Sequence, residues 1–415
     1  MKKREKEIFT NRGITLVALI ITIIVLLILA GVSLSFVFNG GILDKAQQAV
    51  DKYQNESEKE QDILDKIDKY LENELGGGTG GGTDTPGGPD DTDVPAVDSN
   101  GLATENTTIT TDDPNVQIVI PKGFAPVILQ TGRTDSLPGE NGAVKEIMPK
   151  EDWNSITKED INKGIVVVDN KITYDNGQTS GTVPDFNEYV WVPITDESKF
   201  ARNGWNMDTL ADVSTSGAFW EETTSKEYRD MVSSVSMNKG FYISRYEASQ
   251  KDSTTAQSKR GQNPWVNVSQ TSAITASSNM KESLNSHLIY GIEWDSVLQW
   301  AIDSQAKIGS ASGGTKTITE DDVESDSRSW GNYGNSVGGA ATNSGSRKPG
   351  GTNEYWKVNN IYDLAGNVWE WTQEKYSTGT GRAPRGGYYN RNGDSTPAAY
   401  RNVYDESDTY IDVRV

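Results

Sequence analysis

The hydrophobic pattern changes character three times along the chain. Residues 13–38, GITLVALIITIIVLLILAGVSLSFVF, contain no charged side chain. At 1.5 Å per residue, a helix over 14–38 reaches roughly 37 Å, enough to cross a bilayer with some tilt. Over 39–75 the apolar positions become periodic. Ile42, Leu43, Ala46, Val50 and Tyr53 recur at spacings of three or four, as do Ile63, Leu64, Ile67, Tyr70 and Leu71, which predicts an amphipathic helical stalk. Its other faces alternate lysines with acids, and a bend is expected at Gly40–Gly41. Residues 76–95, GGGTGGGTDTPGGPDDTDVP, have nothing to bury and predict a flexible acidic linker, which we extend to 102.

From 103 onward the apolar residues come in short runs between turn residues. The stretches at 117–129 (QIVIPKGFAPVIL), 164–169 (GIVVVD), 189–194 (YVWVPI) and 241–249 (FYISRYEAS) predict strands. Residues 287–303 predict a helix, with Leu288, Ile292, Val297, Trp300 and Ala301 on or near one face. Segments 250–280 and 309–352 are rich in Ser, Thr, Gly and Asn and predict long ordered loops. The expected organisation is therefore a basic leader (1–13), a transmembrane helix (14–38), a stalk (39–75), a linker (76–102) and one irregular α+β domain (103–415).

Charge orients this arrangement. Lys2, Lys3, Arg4, Lys6 and Arg12 outnumber Glu5 and Glu7 ahead of the apolar run, so the positive-inside bias keeps the N-terminus cytoplasmic and places the C-terminal domain outside the cell membrane. The run is too long for an ordinary cleaved signal peptide. A net charge of −20 argues against nucleic acid and against anionic lipid surfaces. With no cysteine, disulfides, thiolate metal sites and cysteine nucleophiles are excluded together. The single histidine, His287, leaves almost no scope for imidazole metal clusters or a histidine general base.

The leader ends at Gly13, followed by Ile14-Thr15-Leu16-Val17-Ala18-Leu19. This resembles type IV prepilins and pseudopilins, which a prepilin peptidase cuts after such a glycine, leaving the apolar helix as the new N-terminus. The resemblance implies processing between Gly13 and Ile14 and pilin-like assembly partners. It departs from the family at Ala18, where a glutamate usually supports assembly.

The block Gly366-Asn367-Val368-Trp369-Glu370-Trp371 is followed by Arg385-Gly386-Gly387 and by Arg401. It resembles the formylglycine-generating enzyme, or sulfatase-modifying factor, family. Trp330-Gly331-Asn332, Ile292-Glu293-Trp294 and the FYISRYEAS stretch agree with that pattern. The resemblance implies an irregular fold related to C-type lectins. Asp363, Asn367 and Glu370 place three oxygen-bearing side chains within eight residues, a hard donor set suited to Ca²⁺. The resemblance implies a calcium site using the side chains of Asp363 and Glu370 and the backbone carbonyls of Gly366 and Val368. A purely structural role, as turn caps or partners of Arg385, is the alternative. Trp369 and Trp371 are expected in the core.

The family's oxidising members need two cysteines, and the related sulfoxide synthases need several histidines; this chain has neither set. Where the cysteines belong lie Tyr388, Tyr389, Asn390, Arg391, Asn392, Tyr400, Asn402 and Tyr404, residue types that build adaptable binding surfaces. Proteins diversified by retroelements use a similar fold and vary a similar segment. The favoured reading is a non-catalytic, membrane- or pilus-tethered protein that recognises a surface glycan or protein. A structural minor pilin and an enzyme of unfamiliar chemistry are the alternatives.

Overall fold

The computed structural model describes residues 94–130, 142–172, 184–205, 210–211, 213–377, 379–407 and 412–415. The leader, the apolar span, the stalk and most of the linker lie outside the described residues, as do Gly13 and Ile14. The described residues belong to one compact unit, Asp90–Val415. Among them, no helix is long and apolar enough to cross a membrane.

The ordered head begins before residue 103, earlier than composition suggests. Asp98 folds its carboxylate over the amides of Asn100 (2.8 Å) and Leu102 (3.0 Å). Leu102 is buried, and Ala103 bonds the Phe124 carbonyl at 2.8 Å. Asp, Asn and Gly suit such a turn, so polar composition here marks a tight turn rather than a linker.

Two sheets carry the head. A hairpin of β1 (Thr107–Thr110) and β2 (Gln117–Ile120) leads into the first, an antiparallel sheet of β3 (Ala125–Leu129), β4 (Val144–Ile147), β5 (Val166–Val168), β6 (Glu188–Pro193) and β9 (Gly240–Ser244), ordered β4-β3-β5-β6-β9. All six residues of β6 are buried, as expected for a strand covered on both faces. The hairpin docks through aromatic tips: Trp191 donates to the Gln117 carbonyl and Tyr242 to the Val119 carbonyl, both at 2.9 Å. Each bond lets a large ring be buried without stranding its polar atom.

The second sheet is built on the strand Glu370–Tyr376, directly after the Gly-Asn block. It pairs antiparallel with Gly381–Arg385 and with β8 (Phe219–Trp220), and parallel with Asp412–Val413. β7 (Leu210–Ala211) extends one edge and Tyr404–Asp405 the other. The four predicted strand stretches are all found.

Among the described residues, four helices pack on these sheets, α1 (Lys158–Asn162), α2 (Lys226–Asn238), α3 (Gln270–Ser278) and α4 (Gly291–Asp303), and a further short helix spans Glu320–Glu324. Helix α3 falls where a long loop is expected. Ser269 caps it, accepting from the Ser272 amide, and it buries only Gln270, Ala273, Ala276 and Ser277, so its sequence lacks the large apolar stripe that signals a helix. Helix α4 occupies the predicted place but starts at Gly291. The Glu293 carboxylate accepts the Tyr290 amide at 2.9 Å, which satisfies an orphan donor of the first turn and fixes the start.

Nine of the eleven tryptophans are buried, Trp369 and Trp371 among them as expected. Several indole N–H groups clasp backbone carbonyls of other segments: Trp371 to Val268 (2.9 Å), Trp356 to Ala340 (2.9 Å), Trp330 to Asp322 (3.0 Å) and Trp294 to Ala398 (3.2 Å). A chain without cysteines thus ties long loops to its core with buried hydrogen bonds.

His287 sits ahead of α4, bonding the Asn285 carbonyl through Nδ1 (3.0 Å) and both oxygens of Glu293 through Nε2 (3.1 and 3.2 Å). Burial pushes its pKa down, but the Glu293 charge and these hydrogen bonds outweigh that and raise it to about 9. A raised histidine pKa stabilises the fold fully below the unfolded value near 6.5, and that contribution is lost as pH rises through about 9. We therefore expect chemical-denaturation stability to fall between pH 6.5 and 9, and His287→Gln to flatten that fall.

Candidate functional site

The candidate ligand surface is held from beneath by a buried ionic cluster. Arg385 ends the strand Gly381–Arg385, and Arg401 lies between Tyr400 and Asn402. Both guanidinium groups are fully buried. Arg385 donates to Glu374 at 2.8 Å and to Asp295 of α4 at 2.5 Å. Arg401 donates to the other oxygen of Glu374 at 2.8 Å and to the other oxygen of Asp295 at 2.5 Å. Arg202 reaches Glu374 at 2.8 Å and lies 3.6 Å from Glu221. Burial works to raise the Glu374 pKa, yet Arg401, Arg385 and Arg202 together hold it well below the usual carboxylate range. Glu221 goes the other way: burial and the Glu374 charge push it up to about 8.

Between the two arginines the chain makes a turn that needs glycine. Gly387 has φ +92°, and a Cβ there would come within 2.5 Å of the Thr396 carbonyl and 2.7 Å of the Tyr333 ring. The turn delivers Tyr388 and Tyr389 side by side, ring centroids 4.2 Å apart. Tyr400 packs 5.9 Å from the Trp369 ring. Tyr388, Tyr400 and Tyr404 are half-buried against one cluster of core residues that includes Trp369 and Trp371. Burial and a hydrogen bond with Tyr389 push the Tyr388 pKa up to about 12, and the charges of Arg347 and Tyr404 also reach it. Asn390, Arg391 and Asn392 are exposed at the tip of the loop, and Asn402 is half-buried.

The fold thus gathers Tyr388, Tyr400 and Tyr404 on one base, with Tyr389 packed beside Tyr388. Asn390 to Asn392 lie in a tip whose backbone leans elsewhere: the Gly334 amide donates to the Arg391 carbonyl at 2.9 Å, and Asn335 binds the Gly393 amide at 2.9 Å and Asp394 at 3.2 Å. Arg347 adds an exposed cation beside Tyr388, which sequence reasoning missed because it lies in a Ser/Gly/Asn-rich loop.

The Gly-Asn block is a buried hub. Gly366 has φ +77°, and a Cβ there would lie 2.2 Å from the Asn332 carbonyl. Asn367 also takes a left-handed conformation, φ +61°, which asparagine tolerates. Its side chain accepts from Asn332 Nδ2 and the Lys348 amide, both at 2.9 Å, and donates to the Lys348 carbonyl (3.1 Å) and to Glu247. Glu247 also accepts the Val368 amide at 3.0 Å.

The expected calcium ligands divide here. Both oxygens of Glu370 accept from Arg414, one at 2.7 Å, and Arg414 also bonds the Tyr362 carbonyl at 2.9 Å. The partner is therefore Arg414, not the Arg385 of the alternative reading. Asp363 is 1% exposed, and neither of its oxygens meets a well-aligned hydrogen-bond donor among the described residues, although the Gly351 amide lies near enough to act on it. Burial is the main force raising its pKa, to about 8; Glu370 adds to this, while Arg414 and the Gly351 amide offset part. Glu247, Asp363 and Glu370 all act on the one Arg414 guanidinium, so the pocket holds more carboxylate than cation. Among the described residues, no three acid or imidazole side chains converge as a metal-binding group. The Asp363 carboxylate suits a hard cation, but such an ion must rely on backbone carbonyls and share Glu370 with Arg414.

Residues 210–413 match the model of the sulfatase-modifying factor enzyme 1-like domain, FGE-sulfatase. Over those residues the head is similar to a sulfatase-modifying-factor-like domain. No curated protein matches the chain. Among solved structures, the chain is similar to Treponema denticola variable protein 1 at 14% identity, covering 74% of this chain and 97% of that one, with a TM-score of 0.20. The sulfatase-modifying-factor domain family includes non-catalytic members, and a chain without cysteine is compatible with a non-catalytic domain.

If the ionic cluster rather than the tyrosines holds the loop, Arg401→Met should lower stability by about 3–5 kcal/mol, because it leaves Asp295 and Glu374 short of a buried partner. Tyr400→Ala should cost only about 1 kcal/mol. Urea denaturation of the two variants measures the difference.

Proposed function

We propose that this chain is a tethered recognition protein whose head binds a cell-surface glycan or protein through the Tyr388–Tyr404 face. The observation that carries the reading is the alternation of roles along that segment. Arg385 and Arg401 turn inward to a fixed ionic base, while Tyr388, Tyr389, Tyr400, Asn402 and Tyr404 lie at or near the surface around it. Tyrosine offers large contact area at low entropic cost, and asparagine and arginine add adaptable hydrogen bonding. Rigid support beneath such a surface is what a binding site needs. The apolar run at 14–38 and the glycine-rich linker fit a head that searches for its ligand while anchored to a membrane. Processing at Gly13 would instead place the same head on a pilin-like assembly.

Within this reading calcium is a structural ligand of the head. Asp363 would hold it together with backbone carbonyls of Gly366 and Val368, with Glu370 shared by Arg414. When bound, the ion supplies the positive charge that Asp363 lacks.

Residues 90–415, which form a compact unit, should be screened against glycans and cell-surface extracts. Tyr388→Ala with Tyr389→Ala should abolish the hits, each ring being worth about 2 kcal/mol or more if it is an anchor, while the thermal midpoint stays close to that of the parent. Unchanged binding would remove this face from consideration. Separately, added Ca²⁺ should raise the thermal midpoint of the parent and leave that of Asp363→Asn unmoved; an equal response in both would dispose of the calcium site.

A further inference from the structure

A concavity lies elsewhere on the head, lined by none of residues 388–404. It is a cleft of about 560 Å³ bounded by β9, α2 and the segment 278–287. Its volume falls in the range typical of small-molecule sites. Trp191, Phe241, Tyr242 and Phe124 line it, with Met231 and Val235 contributed by α2. Trp191 and Tyr242 meet edge to face at 4.9 Å. Their polar tips are already committed to carbonyls of β2, so Tyr242, which is half-buried, offers the cleft ring surface, with the buried Trp191 packed behind it. Tyr189 also lines it, and its buried hydroxyl has no hydrogen-bond partner among the described residues.

The charges around this apolar floor are unbalanced. Lys226 is paired with Asp230 (2.5 Å), Lys281 with Asp169 (3.1 Å) and His287 with Glu293 (3.1 Å). Glu227 and Glu282 line the cleft and make no ion pair among the described residues; Glu227 Oε1 accepts hydrogen bonds from Tyr290 and Gln373, both at 2.7 Å. Aromatic walls beside surplus carboxylates attract organic cations, through the ring quadrupoles and through the acids together.

We propose that this cleft binds a small organic cation with an aromatic or alkyl body, such as an aryl-alkyl amine. The ring or chain lies against the Phe241–Tyr242 floor, and the ammonium group faces Glu227 and Glu282.

The test uses the full-length chain and two probes with the same ring and opposite charge, tryptamine and indole-3-acetate, followed by calorimetry or ligand-observed NMR. Tryptamine should bind about tenfold more tightly than indole-3-acetate, and added salt should narrow the gap. Ser234→Trp, a change at an exposed position lining the cleft, should fill the space and remove tryptamine binding while the thermal midpoint is kept. Glu227→Gln with Glu282→Gln should leave the cleft open and lose most of the preference for the amine. Failure of tryptamine to bind, equal binding of the two probes, or undiminished tryptamine binding by Ser234→Trp would overturn the proposal.

Discussion

The head depends on a charge cluster that water does not reach. Glu374 and Asp295 receive Arg385 and Arg401 in a crossed arrangement, each acid bonding both arginines and each arginine bonding both acids. An unpaired charge in such a place would cost several kcal/mol, so none of the four can leave without unsettling the rest. The cluster joins helix α4, the central strand of the second sheet, its neighbouring strand and the loop that returns through Arg401. Helix α4 is distant in sequence from the other three, so the cluster ties it to the hairpin and loop of 370–401. The same electrostatic logic recurs at Glu370 and Arg414, where the last strand is locked against the Gly-Asn block.

Because ions rather than hydrocarbon fill this part of the interior, the sequence hides it. The strand Glu370–Tyr376 reads EWTQEKY, which looks half-solvated, yet Glu370, Thr372 and Glu374 are all fully buried. Arg385 and Arg401 sit in stretches that read as surface, and their partner Asp295 lies some ninety or more residues away in a helix. Such pairing is invisible to any local pattern. The strands of the first sheet were legible because β5 and β6 are continuous apolar runs, and α4 because its apolar residues keep helical spacing. Helix α3 was not, since small and hydroxylated residues suffice where the helix lies close against Trp371 and its neighbours.

The candidate surface was legible in part. Residue type alone marked the tyrosines and asparagines of 388–404; the fold sets Tyr388, Tyr400 and Tyr404 against one cluster and holds Asn390 to Asn392 apart in the loop tip. What could not be read was the division between supports and contacts, because arginine serves as either. The Asp363–Glu370 stretch shows the same limit. The motif marks both acids equally, but both oxygens of Glu370 accept from Arg414 while Asp363 meets no well-aligned donor among the described residues.

The tip of the loop at 390–392 is fixed through its backbone. The Arg391 amide donates to the Tyr388 carbonyl and the Arg391 carbonyl accepts from Gly334, while the Asn392 carbonyl accepts the amides of Ser395 and Thr396. None of these bonds uses the side chain of residue 390, 391 or 392. Substitutions at these three positions therefore carry little folding penalty, and the tip can drift through many sequences while keeping one shape. Sequence change can therefore accumulate at the tip without first requiring compensating changes in the frame that supports it.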